Sequence, residues 1–230
     1  MSCETTAPSR AKFLSSYDGL EKASGLSNAQ VYRGDVEELD ANERVYIEPV
    51  RVIASEATTG QASAEEIGTL KAQFQSELKE ELSKSHTVVN RPGSSTLTVR
   101  TALVELHPGN PALFLAGYAP YAGAVSTAIG VATGTVPGAS AAAMQAEVID
   151  SRTREQYFAV IDRNQSPKWD PGQGLTRWGA ADASFRKWSR QIRKEISAAE
   201  KESKPKKQPK VAVKDKETKA VSKKESSAKS

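Results

Sequence analysis

The sequence predicts an α+β fold: a mixed, largely antiparallel sheet with two long helices packed on one face, followed by a disordered basic tail. Three observations carry this. Two segments, near residues 63–84 and 182–199, place apolar side chains at three- and four-residue steps. Several shorter segments alternate apolar and polar residues with a period of two. Beyond Glu200 large apolar residues almost vanish while lysine accumulates.

The elements follow in order. Residues 1–10 are polar and read as a tether. Residues 11–43 hold only short apolar pieces, Phe13-Leu14, Tyr17, Leu20 and Val31-Tyr32, among turn residues. They are expected to wrap the domain rather than form long elements. Arg44–Ala54 reads as a strand in which Val45 and Ile47 alternate, then Val50 and Val52 in the opposite phase. Pro49 marks the phase change, which fits a bulge or an edge position. Ser63 followed by Glu66 forms a capping box, in which the hydroxyl and the carboxylate each satisfy a backbone N–H. Ile67, Leu70, Phe74, Leu78 and Leu82 then line one face of a helix over 63–84.

The turn Arg91-Pro92-Gly93-Ser94-Ser95 leads into a strand at 97–106, with Leu97, Val99 and Leu103 on one side. Strands at 143–150 and 155–162 form a hairpin around Ser151–Arg154. Phe185, Trp188, Ile192 and Ile196 make the apolar stripe of a last helix over 182–199, while Arg186, Lys187, Arg190, Arg193 and Lys194 face out. Strand, helix, strand, hairpin, helix lacks the strict alternation of a doubly wound sheet.

One domain, residues 11–199, is long enough to bury a core without a disulfide or metal. The single cysteine excludes an internal disulfide framework. The net charge of +4 is unevenly divided: residues 200–230 carry eleven lysines and five acids, a net of +6, leaving −2 elsewhere. Nucleic-acid or other polyanion binding is thus an expectation for the tail, weak and non-specific, and not for the body. Between Leu106 and Ala146 there is no Asp, Glu, Lys or Arg, and Gly130, Gly134 and Gly138 are spaced four apart. Pro120 and Pro137 leave a 16-residue window there, shorter than the roughly 20 residues a bilayer requires, so 106–142 is expected to be a connection within the domain.

No catalytic residues, metal ligands or cofactor fingerprint are predicted. His86 and His107 each stand alone in turn-like settings, without Cys, Asp or Glu at ligand spacing. Glu147, Asp150 and Asp162 could form an acid–base group, but Arg152, Arg154 and Arg163 flank them, and turn hydrogen bonds and surface ion pairs account for them more simply. Trp169, Trp178 and Trp188 fall within twenty residues. Trp188 is expected in the buried face of the last helix and Trp178 to pack at its start. Trp169, between Pro167-Lys168 and Asp170-Pro171, is the one candidate ligand-binding residue.

Cys3, ahead of a polar tether and then a folded domain, has the layout of the start of a mature bacterial lipoprotein, which makes it the candidate lipid-attachment site. That reading expects an export signal upstream of Met1; a terminal thiol in a cytosolic protein is the competing reading. Four segments also resemble domain-of-unknown-function family 3313, a bacterial family described as lipoproteins. They are Phe13-Leu14-Ser15-Ser16-Tyr17-Asp18-Gly19-Leu20, Tyr46-Ile47-Glu48-Pro49-Val50, Arg91-Pro92-Gly93 leading into Leu97-Thr98-Val99-Arg100, and Glu147-Val148-Ile149-Asp150-Ser151 with its return strand. The resemblance spans roughly residues 11–198. It implies an envelope protein held to the bacterial membrane through lipid on Cys3, with its domain in the periplasm, and no known activity. An envelope protein or cell-wall polymer is the implied class of partner. The chain departs from the family at Arg154, where a glycine is expected before the glutamate, and in its Lys-rich tail.

Overall fold

The computed structural model describes residues 11–23, 29–34, 44–53, 62–116, 137–166 and 171–203. Its strands are β1 (Glu21–Lys22), β2 (Gln30–Arg33), β3 (Arg44–Ile47), β4 (Arg51–Val52), β5 (Thr87–Val89), β6 (Leu97–His107), β7 (Ala141–Asp150) and β8 (Gln156–Gln165). Its helices are α1 (Ala64–Leu82), α2 (Pro111–Ala116), α3 (Pro171–Gly174) and α4 (Gly179–Ser203). The strands form one sheet in the order β1-β2-β8-β7-β6-β3-β5, with β4 also pairing β6. The β3–β5, β3–β6 and β4–β6 pairs are parallel and the rest antiparallel, so the sheet is mixed and mostly antiparallel as expected.

Both long helices lie on one face. Leu70, Phe74, Leu78 and Leu82 of α1 and Phe185, Trp188, Ile192 and Ile196 of α4 pack against Val99, Leu103, Met144, Val148 and Val160 of the sheet. Phe74 stacks on Phe185 at 4.8 Å between ring centroids and meets Trp188 edge-on at 5.9 Å, a geometry that adds to area burial. The capping box forms as predicted: Ser63 Oγ accepts from Glu66 N at 3.1 Å, and Glu66 Oε2 accepts from Ser63 N at 2.9 Å.

The other face of the sheet is covered by the start of the chain. Phe13 and Leu14 join Ala102, Val104, Ala143, Ala159 and Ile161 in a second apolar cluster, with Ala11, Tyr17, Leu20 and Tyr32 around it. The first residues wrap the domain, as expected. They also contribute β2, which pairs with β8.

Several boundaries move. The strand expected over 44–54 is two strands, because Pro49 has no N–H to give the ladder and Val50 N donates to Gln75 Oε1 of α1 at 2.8 Å instead. β3 lies inside the sheet rather than at its edge, between β5 and β6. β5, only three residues long, was not expected. A register shift between Leu103 and Glu105 lets β6 bury Val104 on one face and Leu106 on the other. The last helix continues past the expected boundary at residue 199, through Ser203. Glu200, assigned by sequence to the tail, instead ties α4 to His86 at 3.3 Å. Residues 204–230 of the tail, the tether with Cys3, the loop holding Trp169 and residues 117–136 lie outside the described residues. No helix among the described residues is long and apolar enough to cross a membrane.

Candidate functional site

The most developed polar site lies under the wrapped segment and centres on Glu147. On β7 the even positions Ala142, Met144, Ala146 and Val148 face the helices, so Glu147 points to the opposite side. A surface carboxylate was expected there. It is fully buried, because residues 11–20 cover it. Glu147 Oε2 accepts from Ser15 N at 2.8 Å and from Gln156 Nε2 at 2.7 Å. Its Oε1 accepts from Ser15 Oγ at 3.1 Å and pairs with Arg100 Nη1. Arg100 reaches on to Glu48 Oε2 at 3.3 Å and lies over the Phe13 ring, 5.1 Å from its centroid. One position away on the same face, Gln145 Oε1 accepts from Tyr17 OH at 2.6 Å, and that hydroxyl accepts from Phe13 N at 2.8 Å.

The chemistry of this cluster is that of a tie. A carboxylate offers about four lone-pair positions, and four donors occupy them. The carboxylate thereby fixes the backbone and hydroxyl of Ser15 to the side chains of Arg100 and Gln156. Ser15, Glu48, Arg100 and Glu147 each come from a different one of the four segments that resemble the family. Segments scattered over more than 130 residues meet in one buried network.

The acid–base group considered from sequence does not assemble. Glu147 faces the wrapped segment. Asp162, also buried, faces the helices, where its Oδ2 accepts from Trp188 Nε1 at 2.7 Å and from Lys187 Nζ at 3.3 Å. Asp150 closes the hairpin: its Oδ1 accepts from Arg152 N at 2.6 Å and Thr153 N at 2.7 Å. Asp162 stands opposite Met144, six residues along β7 from Asp150, a separation of about 20 Å. The turn hydrogen bonds expected of this group form at Asp150, whereas the expected surface ion pairs do not, because Glu147 and Asp162 are buried. Arg100 pairs with Glu147, and Arg163 pairs with Glu105 at 2.8 Å.

His86 does follow a turn, as expected, but it is buried and does not stand alone. Its Nδ1 is 2.8 Å from Ser85 Oγ and its Nε2 is 3.3 Å from Glu200 Oε2. The order Ser85–His86–Glu200 has the outline of a relay. A general base must also reach the leaving group, and this imidazole side chain has no exposure at all. The string therefore ties the ends of α1 and α4 together. Among the described residues no three His, Cys, Asp or Glu side chains converge to hold a metal ion.

Two hollows lie on the helix side. An apolar cavity of about 240 Å³ is lined by Leu97, Val148, Phe158 and Ile196, with the Arg33–Glu195 pair at its rim. An open cleft of about 270 Å³ between the starts of α1 and α4 holds Glu65, Glu66, Gln73, Trp178 and Asp182. Glu66 is already engaged there, accepting from Arg177 Nε at 2.8 Å and Trp178 Nε1 at 3.2 Å. The Ser63 backbone N–H, then Arg177, hold its carboxyl down at about 2. Trp178 packs at the start of α4 and Trp188 is buried, as expected.

A family model described as "Protein of unknown function (DUF3313)" matches residues 9–192. No curated protein matches the chain. Among solved structures, the PelC dodecamer from Paraburkholderia phytofirmans is 8% identical with a TM-score of 0.42, covering 74% of this chain and 96% of that one. The hypothetical protein CT253 from Chlamydia trachomatis is 12% identical with a TM-score of 0.38, covering 67% and 98%. Lipoprotein GNA1162 from Neisseria meningitidis is 9% identical with a TM-score of 0.33, covering 65% and 96%. At these scores the likenesses carry no argument about this chain's partners or activity.

Proposed function

The chain belongs to the DUF3313 family of proteins of unknown function, and on that premise we propose that it is a non-enzymatic lipoprotein module of the bacterial cell envelope. Cys3 carries the lipid, residues 4–10 are the tether, and the α+β domain binds or scaffolds another envelope component. The observation that carries the reading is the tie between Ser15 and Glu147. The first apolar residues after the tether are fixed to the middle of the sheet by a buried ion network. A tethered domain held this way has one defined face, that of residues 11–20, at the point where the tether enters. Several acyl chains on Cys3, at about 0.8 kcal/mol per buried methylene, would make attachment effectively permanent. The test is the intact mass of the protein extracted in detergent from its own cells. Cleavage ahead of Cys3 with added acyl mass supports the reading. An unmodified chain beginning at Met1 or Ser2 removes it.

A second reading, polyanion binding through residues 200–230, draws on one structural observation. α4 exposes Arg186, Arg190 and Lys194 at four-residue spacing, and the chain runs on from its end into the lysines of the tail. In this reading the protein is cytosolic. It expects salt-sensitive binding to a polyanion that disappears when residues 204–230 are deleted; binding unaffected by the deletion would count against it.

A further inference from the structure

We infer that the apolar cavity under the last turns of α4 is a ligand site, and that it takes a small amphiphile, an alkyl chain of about eight carbons carrying a cationic head. The inference goes beyond the lipoprotein reading and does not rest on it, because the cavity lies on the helix side of the sheet, opposite residues 11–20.

The cavity arises where a packing pattern stops. Phe185, Trp188, Ile192 and Ile196 fill the helix–sheet interface with large side chains. The next position of that stripe is Ala199, which is only partly buried against the core. Beneath it Leu97, Val148 and Phe158 still present apolar side chains from three neighbouring strands, β6, β7 and β8. A space of about 240 Å³ is left between them, partly open to solvent.

Its walls are fixed. Val148 and Phe158 stand opposite one another on β7 and β8. Gly34, just past β2, donates its N–H to Tyr157 O at 2.8 Å, and a Cβ there would fall 2.7 Å from Gln156 O. That edge of the cavity therefore stays flush with β8. An apolar cavity of about 150 Å³ lined by Leu, Ile and Phe stays dry and binds benzene. On that scale this one takes a chain of about eight carbons. That is more than a lysine side chain fills, which favours a free amphiphile over a basic peptide.

The rim selects the head. Arg33 is matched by Glu195 in a two-bond pair, Nε to Oε2 at 2.8 Å and Nη2 to Oε1 at 2.6 Å. Glu202, exposed near the end of α4, adds a second carboxylate. The lining thus carries two acids and one base. The carbonyls that end α4 add partial negative charge. Lys201, the basic residue of that turn, is exposed and outside the lining. An ammonium head is drawn to this rim and a carboxylate head is repelled.

The test titrates the full, isotope-labelled chain with n-octylammonium, n-octanol and n-octanoate, and follows the backbone amides of Val148, Phe158 and Ile196 by NMR. Reading at these positions keeps octanoate held by the lysines of the tail out of the comparison. The expected result is saturable shifts with octylammonium, and binding about tenfold weaker for octanoate. Ala199→Leu fills the space and should weaken octylammonium about tenfold or more. Glu202→Gln changes an exposed side chain, so it keeps the fold even if Ala199→Leu disturbs it. It should weaken octylammonium about threefold and leave octanol unchanged. Absence of shifts at these amides, octanoate binding as tightly as octylammonium, or an octylammonium affinity unchanged by Glu202→Gln overturns the inference. So does unchanged binding in a folded Ala199→Leu chain. Intact mass reads Cys3 lipidation separately, so failure here is distinguishable from failure of the lipoprotein reading.

Discussion

Arg100 and Glu147 stand directly opposite one another on neighbouring antiparallel strands and close an ion pair beneath the wrapped amino-terminal segment. Breaking such a pair from one side leaves a charge buried without its partner. Glu147→Gln should therefore cost about 3 kcal/mol in urea unfolding. It should also speed chymotrypsin cleavage at Phe13 and Tyr17, whose segment loses its tie. Arg100→Met/Glu147→Leu should lie closer to the parent than either single change, because the fully buried charge leaves together with its partner and only the partly exposed Glu48 loses an ion pair. A double variant as unstable as the sum of the singles would show that shape, not charge, holds the segment.

Acid should act through Glu66. Its folded-state value is depressed from 4.5 to about 2, so its contribution is fully present above pH 4.5 and is lost as pH falls towards 2. Glu81 is also depressed, by Lys84 and then Arg193, and adds in the same direction. Unfolding midpoints measured across this window should fall more steeply for the parent than for Glu66→Gln, which has no proton to take up there. Parallel profiles would refute the assignment.

Arg154 sits in the hairpin with φ +66°, a conformation that costs a non-glycine residue about 1–2 kcal/mol. Arg154→Gly removes the strain and gives back part of it as unfolded-chain entropy. The expected net gain is up to about 1 kcal/mol, read as a rise in Tm. A fall in Tm would mean that the arginine side chain supplies something the backbone geometry does not reveal.

Trp188 and Asp162 share a buried hydrogen bond across the helix–sheet interface. Trp188→Phe keeps an aromatic ring but withdraws the donor, at a cost of about 2–3 kcal/mol. Adding Asp162→Asn should recover part of the loss, because a neutral amide is cheaper than a carboxylate to leave under-bonded. If the double variant is less stable still, Lys187 alone was satisfying the carboxylate.

The elements legible in the sequence are those whose signal is local. The α1 stripe and the Ser63–Glu66 box lie within one helix, and the 151–154 turn lies between two alternating strands. β5 was missed because three residues, Thr87-Val88-Val89, show no period, and their pairing is with β3, 43 residues earlier. Glu147 was misplaced for a related reason. Alternation identifies the helix-facing side of β7 but cannot tell that residues 11–20 cover the other side. The segments that meet at the carboxylate were each recognisable, while their convergence depends on Ser15 and Glu147, 132 positions apart. His86 was likewise read as standing alone because Glu200, its partner, is 114 residues away.

The position of the Ser15 tie has a mechanical consequence. β1 and β2 lie at one margin of the sheet, and a pull transmitted through them would peel strands away one hydrogen bond at a time. Ser15 precedes both in the chain and is fastened to β7, which is flanked by β6 and β8 along its ten-residue length. Tension on the amino terminus thus enters the sheet at an interior strand and is shared as shear between two neighbours before the weak margin feels it.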